Sequence, residues 1–338
     1  LRIRERRDSL AHGEPATLVL PAHGFGSAVF CGNPSPSLDL FDFAFPTHRP
    51  AFYSADGSVP TRRPVEFAPR QRFDAGIEEI PVKTLNIERT DNGIVTVTLN
   101  RPEKKNAINA DMWVEMCDAF NAVRESESDR VLILTGASGE FCSGADLSAE
   151  DEDPRHFVDR MRHVSQAGIA LHSIGKPVIA KVDGVAAGAG LNFALGCDLI
   201  VASDRARFSQ IFVKRGLSID LGGSWILPRL IGLHKAKELA LLGDIISAEE
   251  AERIGIVNRV VPVAELDAFV DDWADRLAAG PPLALAMTKR LLTNSFSMTM
   301  AEALDAEGLS QTINMSSEDA LEALAAFLEK RTPTFRGR

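Results

Sequence analysis

The sequence predicts an α/β protein with a helical C-terminal third, and three observations carry that prediction. From Thr84 onward, short runs rich in β-branched residues alternate with amphipathic stretches. Two Gly/Ala-rich segments, GEFCSGADL at 139–147 and GVAAGAGLNFALGCD at 184–198, each follow a buried-strand pattern. Beyond Gln210 helical patterns dominate to the end of the chain.

Each element has a local reason. Residues 84–89 and 94–100 are β-rich runs flanking Asp91-Asn92-Gly93, and an Asn-Gly pair there predicts a hairpin. Asn109 is placed to cap a helix whose Met112, Met116, Phe120 and Val123 share one face. VLILTG at 131–136 reads as a buried strand. A helix is expected over about 155–173, ended by Lys176-Pro177, and PVIAKV at 177–182 is the next strand. Residues 198–203 and 206–210 supply two more. Ser247-Ala248-Glu249-Glu250 reads as a capping box, with Glu250 reaching back, that opens a helix over about 248–254. Further amphipathic helices are expected over about 265–279, 282–293, 300–312 and 317–331, with apolar stripes suited to core or subunit packing.

The first 80 residues differ. They hold nine of the 18 prolines and no sustained period of two or 3.6, which predicts a disordered extension. The chain lacks an initiating Met, so an over-extended start, with the true one nearer Pro81, is the other reading. Phe41, Phe43, Phe45 and Phe52 leave open a segment that docks on the main domain. The expected organisation is therefore residues 1–80 as extension, 81–280 as core and 281–338 as a helical C-terminal region.

Composition narrows the function classes. In 338 residues, 45% are hydrophobic and 25% charged, the balance of a globular protein. Lys and Arg number 37 against 47 Asp and Glu, and the formal charge of −10 argues against a nucleic-acid partner. The longest apolar tract, 184–203, contains Asn192 and Asp198, which suits a buried strand and helix better than lipid, and no export signal is evident. The four cysteines match no zinc spacing and fit a reducing cytoplasm. Cys142 reads as a small buried hydrophobe, and the seven histidines show no ligand spacing for a metal.

The two glycine segments are the informative feature. Each puts small residues, Ser143-Gly144-Ala145 and Gly188-Ala189-Gly190, where a strand has ended and a helix can begin, so backbone N–H groups can approach a ligand. As a pair they suit an oxyanion hole for a carbonyl that becomes an enolate, where one N–H is worth roughly 3 kcal/mol of barrier. Taken singly, each also fits a tight turn or close packing. A dinucleotide loop is the weaker alternative, because G-x-G-x-x-G is incomplete and no acidic residue is placed for a ribose.

RPEKKNAIN at 101–109, GEFCSGADL, and GVAAGAGLNFALGCDLIVAS at 184–203 resemble the signature segments of the crotonase, or enoyl-CoA hydratase/isomerase, superfamily. The resemblance runs from about Thr84 to Arg338. It implies a spiral of repeated strand-strand-helix units, C-terminal helices that assemble a homotrimer or hexamer, and acyl-CoA thioester substrates with no separate cofactor. It further implies that the N–H groups of Ala145 and Ala189 form the oxyanion hole. Lys104, Lys105, Ala107, Ser143, Asp146 and Leu147 match segments that cradle CoA, while Phe327 and Lys330 match positions that touch the CoA of a neighbouring subunit.

The resemblance also marks a departure. Hydratases of the superfamily use two glutamates, and the matching positions here are Asn192 and Phe212, neither of which is a base. Asn192 is left either to hydrogen-bond near the acyl group or to fill space. Eight residues after Phe212, Asp220 precedes Gly222-Gly223, a pattern similar to the branch that includes ring-1,2-epoxyphenylacetyl-CoA isomerase and some enoyl-CoA isomerases. That implies a double-bond or ring-epoxide isomerase with Asp220 as proton shuttle. Hydration, other enolate chemistry, nucleophilic attack by Asp220, or a non-catalytic acyl-CoA-binding subunit are the alternatives. An apolar setting between Ile219 and Leu221 is expected to raise the Asp220 pKa from its usual value of about 3.9. An Asp before Gly-Gly is also a common turn residue.

Overall fold

The computed structural model describes residues 83–148 and 156–338. The predicted N-terminal extension, with its phenylalanines and Cys31, lies outside the described residues, as does Arg155 at the expected start of one helix.

The chain opens with the hairpin of β1 (Leu85–Arg89) and β2 (Ile94–Leu99), which pair antiparallel. Gly93 takes φ +83 in its turn, and the Gly93 N–H donates to the Thr90 carbonyl. From there the chain winds through α1 (Ala110–Glu125), β3 (Val131–Gly136), α2 (Phe157–His172), β4 (Val178–Val182), β5 (Val185–Ala187) and α3 (Ala189–Gly196). A further turn carries β6 (Leu199–Ser203), β7 (Arg207–Ser209) and α4 (Gly223–Leu242). It closes with β8 (Ile246–Ser247), α5 (Ala248–Arg253), β9 (Arg259–Val261) and α6 (Leu266–Ala278). Three helices end the chain: α7 (Pro282–Asn294), α8 (Met300–Met315) and α9 (Glu318–Glu329).

Two sheets give this order its spiral character. The larger runs β1-β2-β3-β4-β6-β9, parallel after its first pair, and the smaller runs β5-β7-β8. Successive turns therefore place one strand in the large sheet, a short one in the small sheet, and then a helix. In the two earliest turns the short strand shrinks to a single bridge, Ile108 against Ala145 and then Cys142 against Ala186.

Packing explains why the central strands read as unbroken apolar runs. One face of the large sheet, with Val95, Leu132, Leu134 and Val178, packs with Met112, Met116, Phe120 and Val123 of α1 in the main core. The other face, with Ile94, Val131, Ile133, Ile179 and Val201, packs with Leu266, Val270, Ala274 and Ala278 of α6. Strands buried on both sides cannot alternate. The cap on α1 is as expected: the Met112 N–H donates to Asn109 Oδ1 at 3.0 Å.

Some elements depart from expectation. Ser247 does cap α5, accepting from the Glu250 N–H at 3.2 Å, but Glu250 does not reach back. Its carboxylate is taken by Arg253 at 2.6 and 2.7 Å. The reciprocal box forms instead at Thr299 and Glu302 of α8. α7 and α8 carry no buried residue, and Leu304, Leu309, Leu324, Phe327 and Leu328 are exposed. No helix among the described residues is long and apolar enough to cross a membrane.

Candidate active site

The two glycine segments meet, held together by backbone. The Cys142 N–H donates to the Val185 carbonyl at 2.8 Å and the Ala187 N–H to the Cys142 carbonyl at 2.9 Å. On the other side, the Ile108 N–H donates to Gly144 and the Asp146 N–H to Ile108, both at 2.9 Å. These bonds bracket Ala145, whose own N–H donates to no backbone acceptor among the described residues. Ala189 opens α3, where the first-turn N–H groups have no intrahelical partner and the helix dipole favours negative charge. The two segments approach closely: a Cβ added to Gly144 would lie 3.7 Å from the Ala189 nitrogen. Gly144 takes φ +105. At Gly190 the constraint is space, since a Cβ there would sit 2.7 Å from Cys142 Cβ and collide with the Cys142 carbonyl.

Cys142 itself is fully buried, and loss of solvent pushes its thiol up to about 12. It packs in the main core.

Asp220 arrives from the other direction, on the turn that starts α4. The Gly223 N–H donates to the Asp220 carbonyl at 2.9 Å, and Leu221 and Gly222 take φ +47 and +77. The residue is thus a turn former and more. Its Oδ1 is buried without a hydrogen-bond partner among the described residues. Burial, opposed by its own backbone N–H, raises its carboxyl to about 6. A cavity of about 160 Å³ brings Asp220 together with Ala145, Asp146 and Leu147, walled by Ile108 and Trp113.

The two positions that would carry hydratase glutamates are otherwise engaged. Asn192, 1% exposed, donates through Nδ2 to the Asp220 carbonyl at 2.9 Å and accepts from Gln210 Nε2 at 2.7 Å. It holds the turn that presents Asp220, and it lines a second cavity rather than the one containing Ala145. Phe212 is buried in a single 3₁₀ turn, and its ring faces Gly188.

The expected CoA-side residues form one patch beside Ala145. The Ser143 N–H donates to the Lys105 carbonyl at 3.1 Å, and Ser143 Oγ to the Lys104 carbonyl at 3.3 Å. Lys105 takes φ +51, and its ammonium meets Glu140 at 2.9 Å. Ala107 accepts from Arg101 Nη1 at 2.6 Å, while Arg101 Nη2 reaches Asp146 at 3.0 Å. Desolvation opposes ionisation of Asp146, but hydrogen bonds from Ser148 and Arg101 outweigh it and hold its carboxyl below the usual range. Phe327 and Lys330 sit at the end of α9, exposed and outside the cavity. Sequence reasoning missed Arg160, Met161 and His163, which α2 contributes to the same cavity as Asp220. Their helix was expected, but nothing local marks which face it turns inward.

Comparison with known proteins identifies the family and the fold. The family model described as enoyl-CoA hydratase/isomerase matches residues 89–338. The chain is 37% identical over 257 residues to 1,2-epoxyphenylacetyl-CoA isomerase of Escherichia coli (strain K12), covering 75% of this chain and 98% of that one. It is 33% identical over 253 residues to trans-2-decenoyl-(acyl-carrier-protein) isomerase of Streptococcus mutans, covering 73% and 96%. The crystal structure of enoyl-CoA hydratase from Bacillus anthracis superposes with a TM-score of 0.72 at 31% identity, covering 76% of this chain and all of that one. The crotonase-type fold and the paired glycine segments thus have one source: the chain belongs to the enoyl-CoA hydratase/isomerase family.

Proposed function

We propose that the protein is an acyl-CoA isomerase that moves a double bond, or isomerises a ring epoxide, through an enolate. The observation that carries this reading is Asp220: its carboxylate, with Oδ1 buried and without a hydrogen-bond partner among the described residues, shares a cavity with Ala145, while the other carboxylate there, Asp146, is held by Arg101 and the Ser148 N–H. The thioester carbonyl accepts hydrogen bonds from the Ala145 and Ala189 N–H groups, which strengthen as its oxygen gains charge. Asp220 takes a proton from C2 of a 3-enoyl thioester, the electrons spread over a dienolate, and the same carboxyl returns the proton at C4. The double bond moves from C3–C4 to C2–C3 and the carboxylate is regenerated. Raising the Asp220 pKa towards 6 makes it a stronger base that remains ionised at neutral pH.

Hydration fits these residues less well. Adding water requires one group to take the water proton and a route for a proton to C2. Asn192 is an amide with both ends engaged, and Phe212 is apolar. Lys104, Lys105 and Ser143 would flank the CoA moiety, with Phe327 and Lys330 of a neighbouring copy completing it in a homotrimer or hexamer. The unpaired thiols of Cys117, Cys142 and Cys197 suit a reducing compartment such as the cytoplasm.

The deciding experiment follows conversion of a 3-enoyl-CoA by the rise of 2-enoyl-CoA absorbance, for the intact protein and Asp220→Asn. We expect turnover to fall by about 10²–10⁴-fold with acyl-CoA binding retained. Full activity in Asp220→Asn would exclude it as the base. Tight binding with no turnover of enoyl or epoxide substrates in the intact protein would instead identify a non-catalytic acyl-CoA-binding subunit.

A further inference from the structure

One of the lysines expected beside the substrate is already held by an acid. Lys105 Nζ meets Glu140 Oε1 at 2.9 Å, with the lysine side chain 57% exposed and the glutamate 24%. The lysine leaves from a fixed backbone. Lys105 and Asn106 take φ +51 and +54 in succession, a left-handed pair that non-glycine residues hold only where the surroundings impose it. Asn106, fully buried, imposes it. Its N–H and Oδ1 bond the carbonyl and the N–H of Arg101, both at 2.9 Å. Its Nδ2 donates to the Ala137 carbonyl at 3.0 Å and the Glu140 carbonyl at 2.6 Å.

The Glu140 carboxylate is placed as firmly. Its Oε2 accepts from the Val185 N–H at 2.7 Å, at the start of β5, the strand that leads to Gly188 and Ala189. It reaches that N–H over Gly184, φ +63, where any Cβ would collide with Oε2. Burial opposes ionisation of Glu140, but the bonds from Lys105 and Val185 outweigh it and hold the carboxyl below the usual range. One ionised carboxylate therefore spans the lysine loop and the strand before the second glycine segment. The strand N–H needs only an acceptor; the charge acts on the ammonium.

We propose that Glu140 is a specificity-determining residue for the carrier end of the substrate: it holds the Lys105 ammonium away from the phosphates of CoA, and so lowers the advantage of a phosphorylated carrier over a phosphate-free pantetheine thioester. The assignment rests on the acyl-CoA reading above, in which Lys105 flanks the CoA moiety. A phosphate that reaches Lys105 must displace a carboxylate fixed 2.9 Å away, and it meets the negative charge of that carboxylate as well. Without Glu140 the same ammonium turns to the phosphate. The pair is partly exposed, so its effect falls in the range of surface ion pairs, about two- to fivefold in affinity, and salt weakens it. The acyl end, at Ala145 and Asp220, is untouched.

The test measures dissociation constants of butanoyl-CoA and S-butanoyl-pantetheine by calorimetry and takes their ratio, which needs no knowledge of the reaction. Glu140→Gln keeps an oxygen for the Val185 N–H and removes the charge; Glu140→Ala serves should the glutamine variant fail to fold. The preference for the CoA thioester is expected to rise about two- to fivefold in either variant, with the gain fading at high salt. With Lys105→Met also present, less than about half of that gain should remain, since no ammonium is left to release. An unchanged preference, both thioesters shifting by one factor, would reduce Glu140 to a support of β5 and overturn the proposal while leaving the acyl-CoA reading intact. A fall in the preference would overturn it too, by showing that Glu140 aims the ammonium at the phosphate, as would an undiminished gain without Lys105. Failure of both thioesters to bind the intact protein would remove the acyl-CoA reading, and this inference with it.

Discussion

Asp220 concentrates the consequences at the residue scale. Its carboxyl titrates near 6 in the folded protein against an ordinary value of 3.8, because burial disfavours the charged form. The folded state therefore binds the proton more tightly than the unfolded one. The associated stability is present below about pH 4 and is lost as pH rises through 6. Asp220→Asn should accordingly gain stability over the intact protein by on the order of 2 kcal/mol at pH 7.5 and by little at pH 4, read as a widening gap in melting temperature. Catalysis runs the opposite way: kcat/KM should climb with pH to a plateau above about 6, since only the ionised carboxylate is a base. Asn192→Ala removes the support of the Asp220 carbonyl and leaves Gln210 without its acceptor. A loss of about 1–3 kcal/mol in stability is expected with a fall in kcat, checked by denaturant titration and turnover. Asp220 was legible only through its likeness to an isomerase branch. The apolar neighbours correctly indicated the direction of its pKa, but the bond from Asn192, 28 residues earlier, has no signature in sequence.

At the scale of elements, legibility followed the strength of the local signal. The hairpin, the strands with apolar runs and the capped α1 were readable because Asn92-Gly93, β-branched residues and Asn109 act over a few residues. α4 was not, since Gly222-Gly223, Pro228 and the Gly232 kink break any helical period, and tertiary packing of Leu227, Ala236 and Leu239 holds it. β8 and β9 are two and three residues long and exist only through their neighbours. Glu250 was assigned to the wrong partner because Arg253, one turn on, offers it a charge. The first turn of α3 gives a sharper test. Gly190→Ala should fail to fold or lose more than about 2 kcal/mol, because the methyl meets the Cys142 backbone, which the small sheet holds in place. Soluble expression and thermal melting measure it; a variant as stable as the parent would mean that the two loops are looser than this contact requires.

For the whole molecule, the exposed apolar faces of α8 and α9 argue for assembly. The intact protein is expected at three or six times the 36.6 kDa chain mass in light scattering, and Leu324→Glu at a lower multiple; a monomer in the intact protein would remove this expectation. Such an assembly would carry Phe327 and Lys330 towards a neighbour's thioester, a role that one chain alone does not display. The arrangement of the site has a last consequence. The groups that would polarise the substrate carbonyl are peptide N–H groups fixed by ladder bonds at Cys142 and Ala187, so among side-chain replacements only proline deletes such a donor outright. The group that would move protons is one replaceable side chain on a separate turn. On the proposed reading, activation and reaction choice would be stored in different kinds of structure, and exchanging residues at 192, 212 and 220 would redirect the chemistry while the electrophile stays activated.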